Sequence, residues 1–348
     1  MTLSNYNATD PGLINTPEWH KLIFWQSGIT ENITFVADYD SLAEITMDYK
    51  VALEPDVAAW AQHAFCPGRW GSWTYVWRMD APQRRVEWKS PEPAFYYKWY
   101  EQYAEWWNET YPCWSYDSPE QKYPAGMKTY FAFSEHPLKS GAKIDVESDY
   151  LRIYGSISED TFGNSFANYS CDVSGNLTVI KDGEVVIDHV DIWDYFYSST
   201  YFKGRPNFKV IIQGNSSPRL STYTRTEMNF VADTTRDYQP PGVTMRVLDS
   251  DLNNTVPGGN VKVRMDVEDE SNISDVTLEY SLDNGTTWNP APITYKGVIG
   301  CSPLSDGNRT VVDETYVSPR YSKLRIFMDD TEDNDEIHYR YIVNCITS

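Results

Sequence analysis

Apolar and polar residues alternate over most of this chain with a period of two, the period of a pleated strand with one buried face. Ile33–Tyr39 (ITFVADY) and Ala43–Leu53 (AEITMDYKVAL) read this way, and so do Trp73–Met79 and Arg84–Trp88, whose flanking of Ala81-Pro82 predicts a hairpin. From Lys128 onward the segments KTYFAFS, YLRIYGSIS, NLTVI, EVVIDHV and FKVIIQG predict further strands. Asp182-Gly183 between two β-branched runs predicts a tight hairpin turn, because Gly takes the left-handed conformation such a turn needs. VTMRVLD, NVKVRMDV, VTLEYSL, KLRIFMDD and EIHYRYIV follow at near-regular spacing. One segment departs from the pattern. Between Pro91 and Asn108, Phe95, Trp99, Tyr103, Trp106 and Trp107 recur at steps of three and four behind a proline and acidic residues, which predicts a helix.

The fold class expected from these elements is all-β, with tandem β-sandwich domains. A chain of 348 residues suits two or three domains. The expected boundaries are an N-terminal β domain over 1–140, carrying a Trp-rich, partly helical insertion at about 56–125, then a β-sandwich over 141–238 and a third sandwich over 239–348. The stretch TTRDYQPPGV before the last of these reads as a linker stiffened by its two prolines.

Lys and Arg number 29 and Asp and Glu 50, so the net charge is −21. That balance argues against nucleic acid and anionic lipid as partners, since both need a basic patch. No run approaches the ~18 apolar residues of a membrane helix. The start, MTLSNYNATDPG, has neither the basic nor the apolar stretch of a signal peptide, so an exported protein would begin here as a mature product or as a piece of a longer precursor. The chain holds 20 Asn and 56 Ser plus Thr, and 20 × 56/348 gives about three Asn-x-Ser/Thr tripeptides by chance. Ten are present, at Asn7, Asn32, Asn108, Asn168, Asn176, Asn215, Asn253, Asn272, Asn284 and Asn308. Such tripeptides accept N-linked glycans on the exposed surface of secreted chains, which points to an extracellular or cell-surface location. Five cysteines fit that compartment, and the pairings that fall within one expected domain are Cys66–Cys113 and Cys301–Cys345.

Ser281–Trp288 reads S-L-D-N-G-T-T-W and resembles the Asp-box S-x-D-x-G-x-T-W of sialidase propellers. It stands here once, whereas a propeller repeats it. The same string occurs singly in extracellular immunoglobulin-like and fibronectin-III-like modules, and residues 243–348 resemble such a module. The resemblance implies an Ig-like domain at the C-terminus, with Val261–Val267 and Val276–Leu282 as adjacent core strands. The order of sandwich, Pro-Pro linker and Ig-like module is similar to the non-catalytic C-terminal parts of large secreted archaeal proteins, subtilisin-like proteases and surface-layer proteins among them. No G-T-S-M-A or H-G-T segment of a subtilisin is present.

Candidate chemistry is sparse. The five histidines are scattered, and a Ser-His-Asp site would need the fold to place one of them. Asp145, Glu147 and Asp149 share one strand face, as surface charges, a calcium site or the acids of a glycosidase. Two acidic loops, 268–275 and 329–335, lie at one end of an Ig-like sandwich facing the linker. Asp237, Asp269 and Asp330 are therefore the candidate Ca²⁺ ligands, against the alternative of a solvated acidic end. Nine of the 13 Trp fall between Trp60 and Trp114. They suit core packing, a protein interface or a carbohydrate platform, with Trp99, Trp106 and Trp107 as candidate contact residues. The expectation is a secreted, glycosylated, non-enzymatic structural or adhesive protein of a cell surface or extracellular assembly, including filaments, which binds protein partners or itself. The alternatives are the accessory region of a secreted subtilisin-like protease and a carbohydrate-binding protein.

Overall fold

The computed structural model describes residues 2–5, 18–23, 38–51, 57–65, 72–79, 81–91, 95–106, 109–118, 121–167, 174–192, 195–215, 223–233, 242–248, 250–255, 261–269, 273–281, 286–291, 293–299, 308–317, 323–330 and 343–344. The chain divides into two compact units, Met1–Ser134 with Phe162–Asn164, and Glu135–Thr161 with Ser165–Ser348. Both are built from β-sheets, and among the described residues the only helical turn is a short 3₁₀ segment at Tyr39–Ser41. Among the described residues none of the sheets closes into a barrel.

In the first unit, one sheet runs in the order Thr2–Asn5, Glu18–Ile23, Gln83–Lys89, Ala43–Tyr49, Lys128–Phe133. Two of its pairings are parallel, Glu18–Ile23 with Gln83–Lys89 and Ala43–Tyr49 with Lys128–Phe133. A second sheet runs Glu109–Asp117, Phe95–Trp106, Val57–Phe65, Ser72–Met79, with every neighbour antiparallel. The Phe162 ring packs at a tilt against Tyr130 and Phe131, and Asn164 Nδ2 donates to the Ala132 carbonyl at 2.9 Å, so the returning segment 162–164 is bound to the Lys128–Phe133 strand.

The face that this first sheet buries is not the one hydropathy selects. Ala43, Ile45, Met47 and Tyr49 are fully buried, and the register sets Lys89 opposite Ala43, Glu87 opposite Ile45 and Arg85 opposite Met47. Opposed residues share a face, so Arg85, Glu87 and Lys89 are carried inside while Val86 and Trp88 turn to the other side. The charges survive burial because each has a partner. Arg85 donates to Glu87 Oε1 from Nε at 2.9 Å and from Nη2 at 2.6 Å, and Tyr49 Oη donates to the same oxygen at 2.7 Å. Lys89 Nζ reaches the other oxygen at 2.8 Å and lies 4.8 Å from the centre of the Tyr96 ring. Burial alone would lower the Arg85 pKa, but Tyr49 and Glu87 more than offset it, and the pKa lies above the ordinary value.

The second unit contains one continuous core. Lys143–Glu147, Tyr150–Gly155 and Phe196–Tyr201 form a three-stranded sheet, and Glu184–Ile192, Ser174–Lys181, Asn207–Asn215 and Tyr223–Val231 form a four-stranded one. Their inward positions alternate strictly: Leu151 and Ile153 from the first, Leu177, Val179, Phe208, Val210, Ile212 and Met228 from the second. Asp182 (φ 48°) and Gly183 (φ 90°) make the tight turn that their sequence predicts. At Gly155 (φ 133°), a Cβ would come within 2.4 Å of the Gly141 carbonyl oxygen, so only glycine fits. Beyond residue 241, four strands run Gly242–Val247, Val261–Asp269, Asn308–Val317, Ile293–Ile299, and four run Asn289–Pro290, Ile273–Ser281, Lys323–Asp330, Val343–Asn344. Met245, Val263, Met265 and Leu278 join them to the core.

Several expectations need correction. The helix expected over 91–108 is a 12-residue strand, Phe95–Trp106, so among the described residues the N-terminal domain has no helical insertion. A spacing of four fits two pleats of a strand as well as one helical turn, and Tyr96 and Tyr100 are buried on the same face at that spacing. With aromatics at most positions, the segment also has the composition of a strand. Trp73–Met79 and Arg84–Trp88 do not form a hairpin, because the two strands belong to different sheets. Val261–Asp269 and Ile273–Ser281 are likewise consecutive strands of different sheets rather than adjacent ones. No disulfide is present among the described residues. Cys113 sits in the Glu109–Asp117 strand, beside a register shift at Gln102/Tyr103 that also accommodates Pro112, which has no backbone donor. Cys66, Cys301 and Cys345 themselves lie outside the described residues.

Removing one partner from the buried row leaves an uncompensated charge, so Glu87→Gln should lower unfolding free energy by about 3–5 kcal/mol in urea denaturation. Replacing Arg85, Glu87 and Lys89 together by Met, Leu and Met should recover most of that loss; an unchanged midpoint for Glu87→Gln would show that the row is not buried as described. A pH effect is expected in the second unit. Burial raises the Glu227 carboxyl, but hydrogen bonds from Lys209 and Arg225 outweigh it and hold the pKa below its ordinary 4.5. The stabilisation is therefore complete above that value and disappears as pH falls through the lower folded-state value. Thermal melts across this acid range should lose a part of their pH dependence in Glu227→Gln.

Candidate functional site

The three-stranded sheet of the second unit presents its outer face as a grid, fixed by register. Lys143, Tyr154 and Tyr197 form one row, Asp145, Arg152 and Ser199 the next, and Glu147, Tyr150 and Tyr201 the third. The residues between them, such as Ile144, Leu151, Ile153, Phe196 and Ser198, point into the core. The pleat therefore forces the tyrosines outward. Tyr197 is 63% and Tyr201 46% exposed, and Tyr195, just before the strand, 64%.

Neighbours orient these rings. Tyr150 and Tyr201 meet edge to face with centroids 5.5 Å apart, and the Lys203 ammonium lies 5.9 Å from the Tyr201 centroid. Tyr154 Oη donates to Asp145 Oδ2 at 2.7 Å, and that bond, reinforced by burial, raises the phenol's pKa. Arg152 pairs with Glu147. Two cations and two carboxylates thus balance on this face, on a chain whose net charge is −21. Of the nine large apolar side chains that are exposed among the described residues, seven cluster here and on the neighbouring Glu184–Ile192 strand: Tyr150, Val185, Val186, Val190, Tyr195, Tyr197 and Tyr201. Exposed aromatic side chains gathered on one sheet face make it the candidate contact surface. Tyr and Ser together supply rigid aromatic area and adaptable hydrogen bonds at low entropic cost.

The sequence-derived candidates are distributed elsewhere. Asn215 and Asn253 are exposed, and Asn176 is half-buried, its Oδ1 accepting from the Asp191 N–H at 3.3 Å. Asn308 opens the Asn308–Val317 strand; Asn7, Asn32, Asn108, Asn168, Asn272 and Asn284 lie outside the described residues. Trp99 and Trp106 belong to the Phe95–Trp106 strand, with Trp99 opposite Ala61 and Asp117 and Trp106 opposite Glu109; Trp107 is outside the described residues. Asp269 closes one strand opposite Asn308, and Asp330 closes another opposite Ile273, while Asp237 lies outside. Among the described residues no cluster of three or more His, Cys, Asp or Glu is placed to hold a metal ion. Asp145 and Glu147 are each engaged by a partner on the neighbouring strand, which relieves the repulsion their spacing implies. The fold does bring one His to a Ser: His189 Nε2 lies 3.2 Å from Ser198 Oγ, and the adjacent Asp188 accepts from Thr178 at 3.2 Å. The His189–Ser198 contact ties the edge strands of the two sheets together.

No helix among the described residues is long and apolar enough to cross a membrane. Comparison with protein families, with curated proteins and with solved structures finds no match to this chain.

Limited nitration followed by peptide mass spectrometry should mark Tyr195 and Tyr197 early. Tyr49, Tyr96 and Tyr100 should remain unmodified until the protein is unfolded. Early labelling of Tyr100 in the folded protein would contradict the assignment.

Proposed function

We propose that the chain is a secreted, glycosylated protein without catalytic chemistry of its own, acting as a structural or adhesive component of a cell surface or extracellular assembly. One observation carries the reading: ten glycan acceptor tripeptides where about three arise by chance. Acceptors need solvent access, and the exposure of Asn215 and Asn253 supports it. The tyrosine grid adds a surface suited to contact rather than turnover. Tyr150, Tyr197 and Tyr201 are exposed on it, Arg152 is paired with Glu147, and Tyr154 donates to Asp145. The role fits the kind of secreted archaeal surface protein that the C-terminal sequence resembles.

Intact mass of protein from its native host, before and after enzymatic or chemical deglycosylation, tests the reading. A drop in mass with Asn215 and Asn253 among the occupied positions is expected. Ten bare asparagines would overturn it.

A further inference from the structure

We propose that two copies of this chain pair edge to edge through Phe196–Tyr201, antiparallel, about a two-fold axis at Ser199. The inference deepens the contact-based reading above by naming the partner as a second copy.

Phe196–Tyr201 is an edge strand, paired on one side with Tyr150–Gly155. The Phe202 N–H donates to the Asp149 carbonyl at 2.8 Å. Backbone groups alternate in direction along a strand, so Phe196, Ser198 and Thr200 turn theirs to the paired side. Tyr197, Ser199 and Tyr201 turn N–H and C=O to the other edge, where no strand pairs among the described residues. A free edge is a template for another strand, and proteins usually blunt it with charge, proline or a bulge. Of the four edges in these two sheets, the other three carry charges: Lys143, Asp145 and Glu147 on one, Glu184, Asp188 and Asp191 on the second, Arg225 and Glu227 on the third. Phe196–Tyr201 carries none, contains no proline, and its pairing shows no register shift.

The sequence supplies the reason for a second copy. Residues 196–202 read F-Y-S-S-T-Y-F, a near-palindrome centred on Ser199. A two-fold antiparallel pair about that residue sets Phe196 against Phe202 of the second copy, Tyr197 against Tyr201, and Ser198 against Thr200. Like meets like at every step, aromatic pairs fall on the exposed face, and the contact is self-complementary and closed. Two three-stranded sheets become one of six strands. Both copies are strongly acidic, so screening should favour the pair, and association should strengthen as NaCl is raised.

Cysteine cross-linking locates the axis. In a hydrogen-bonded antiparallel pair the facing Cα atoms are ~5.5 Å apart, within the range that a disulfide spans. Ser199→Cys should therefore give a covalent dimer on mild oxidation, above the background of the unsubstituted chain. Tyr197→Cys should not, because its counterpart lies roughly 13 Å away, about four residues along the strand. Sedimentation of the unsubstituted protein should show a dimer that Ser199→Lys weakens roughly tenfold or more, by facing two ammonium groups across the axis, without altering the melting temperature measured at a dilution where both proteins are monomeric. A protein that stays monomeric at every concentration and salt, or equal cross-linking of the two cysteine variants, overturns the proposal. The outcomes separate from those of the previous test. Bare acceptor asparagines with selective cross-linking at residue 199 remove the extracellular reading and leave the dimer, and occupied asparagines without cross-linking do the reverse.

Discussion

A strand cannot choose the side on which one residue points without choosing it for every second residue. This pleat constraint governs the whole molecule, because nearly all of its regular structure is strand. In the first unit it forces a compromise. The register between Ala43–Tyr49 and Gln83–Lys89 buries a row of aliphatic side chains, and with it an Arg, a Glu and a Lys. The cost of removing those charges from water is offset only because one carboxylate receives the Arg and a tyrosine hydroxyl on one oxygen and the Lys on the other. An arrangement that few registers can satisfy discriminates against slipped pairings, since a one-residue shift would bury Arg84 and Val86 in place of the matched set.

In the second unit the same constraint works outward. Leu151 and Ile153 must face the core, and so Tyr150, Arg152 and Tyr154 must face away from it; Phe196 and Ser198 impose the same on Tyr197 and Ser199. Tyrosine tolerates that position better than phenylalanine because its hydroxyl stays hydrated or bonded, as Tyr154 shows with Asp145. The exposed aromatic surface follows from core packing one residue away, yet its composition goes beyond what packing requires. Where a solvated face usually carries long charged chains, two rows here carry paired rings.

Much of this architecture is readable from alternation alone. The strands Lys128–Phe133, Tyr150–Gly155, Ser174–Lys181, Glu184–Ile192 and Asn207–Asn215 and the Asp182-Gly183 turn follow from β-rich runs and a dipeptide with a defined backbone preference. Alternation, however, identifies two faces and not which one is inside. In QRRVEWK hydropathy favours Val86 and Trp88, and only the pairing with Ala43–Tyr49, invisible in the strand itself, reverses the choice. The 91–108 segment misleads for a different reason: when aromatics occupy most positions, steps of four belong to a strand and a helix alike. The tyrosine grid also had a signal, Y-L-R-I-Y and F-Y-S-S-T-Y, each with tyrosines in the phase opposite to its aliphatic or buried residues. It is easily passed over because aromatic residues are read first as core.

The two parallel pairings of the first unit carry a consequence for biogenesis. Glu44 meets Lys128, 84 positions downstream, and Glu18 meets Val86, 68 positions downstream. Neither contact can form until the later segment has emerged from the ribosome, so these two pairings wait over a long stretch of elongation while local ones such as Thr2–Asn5 with Glu18–Ile23 can already form. Such high contact order slows folding, and it leaves the first sheet incomplete while the chain is still being made. The topology that delays this unit's maturation is thus compatible with threading it through a membrane before it closes.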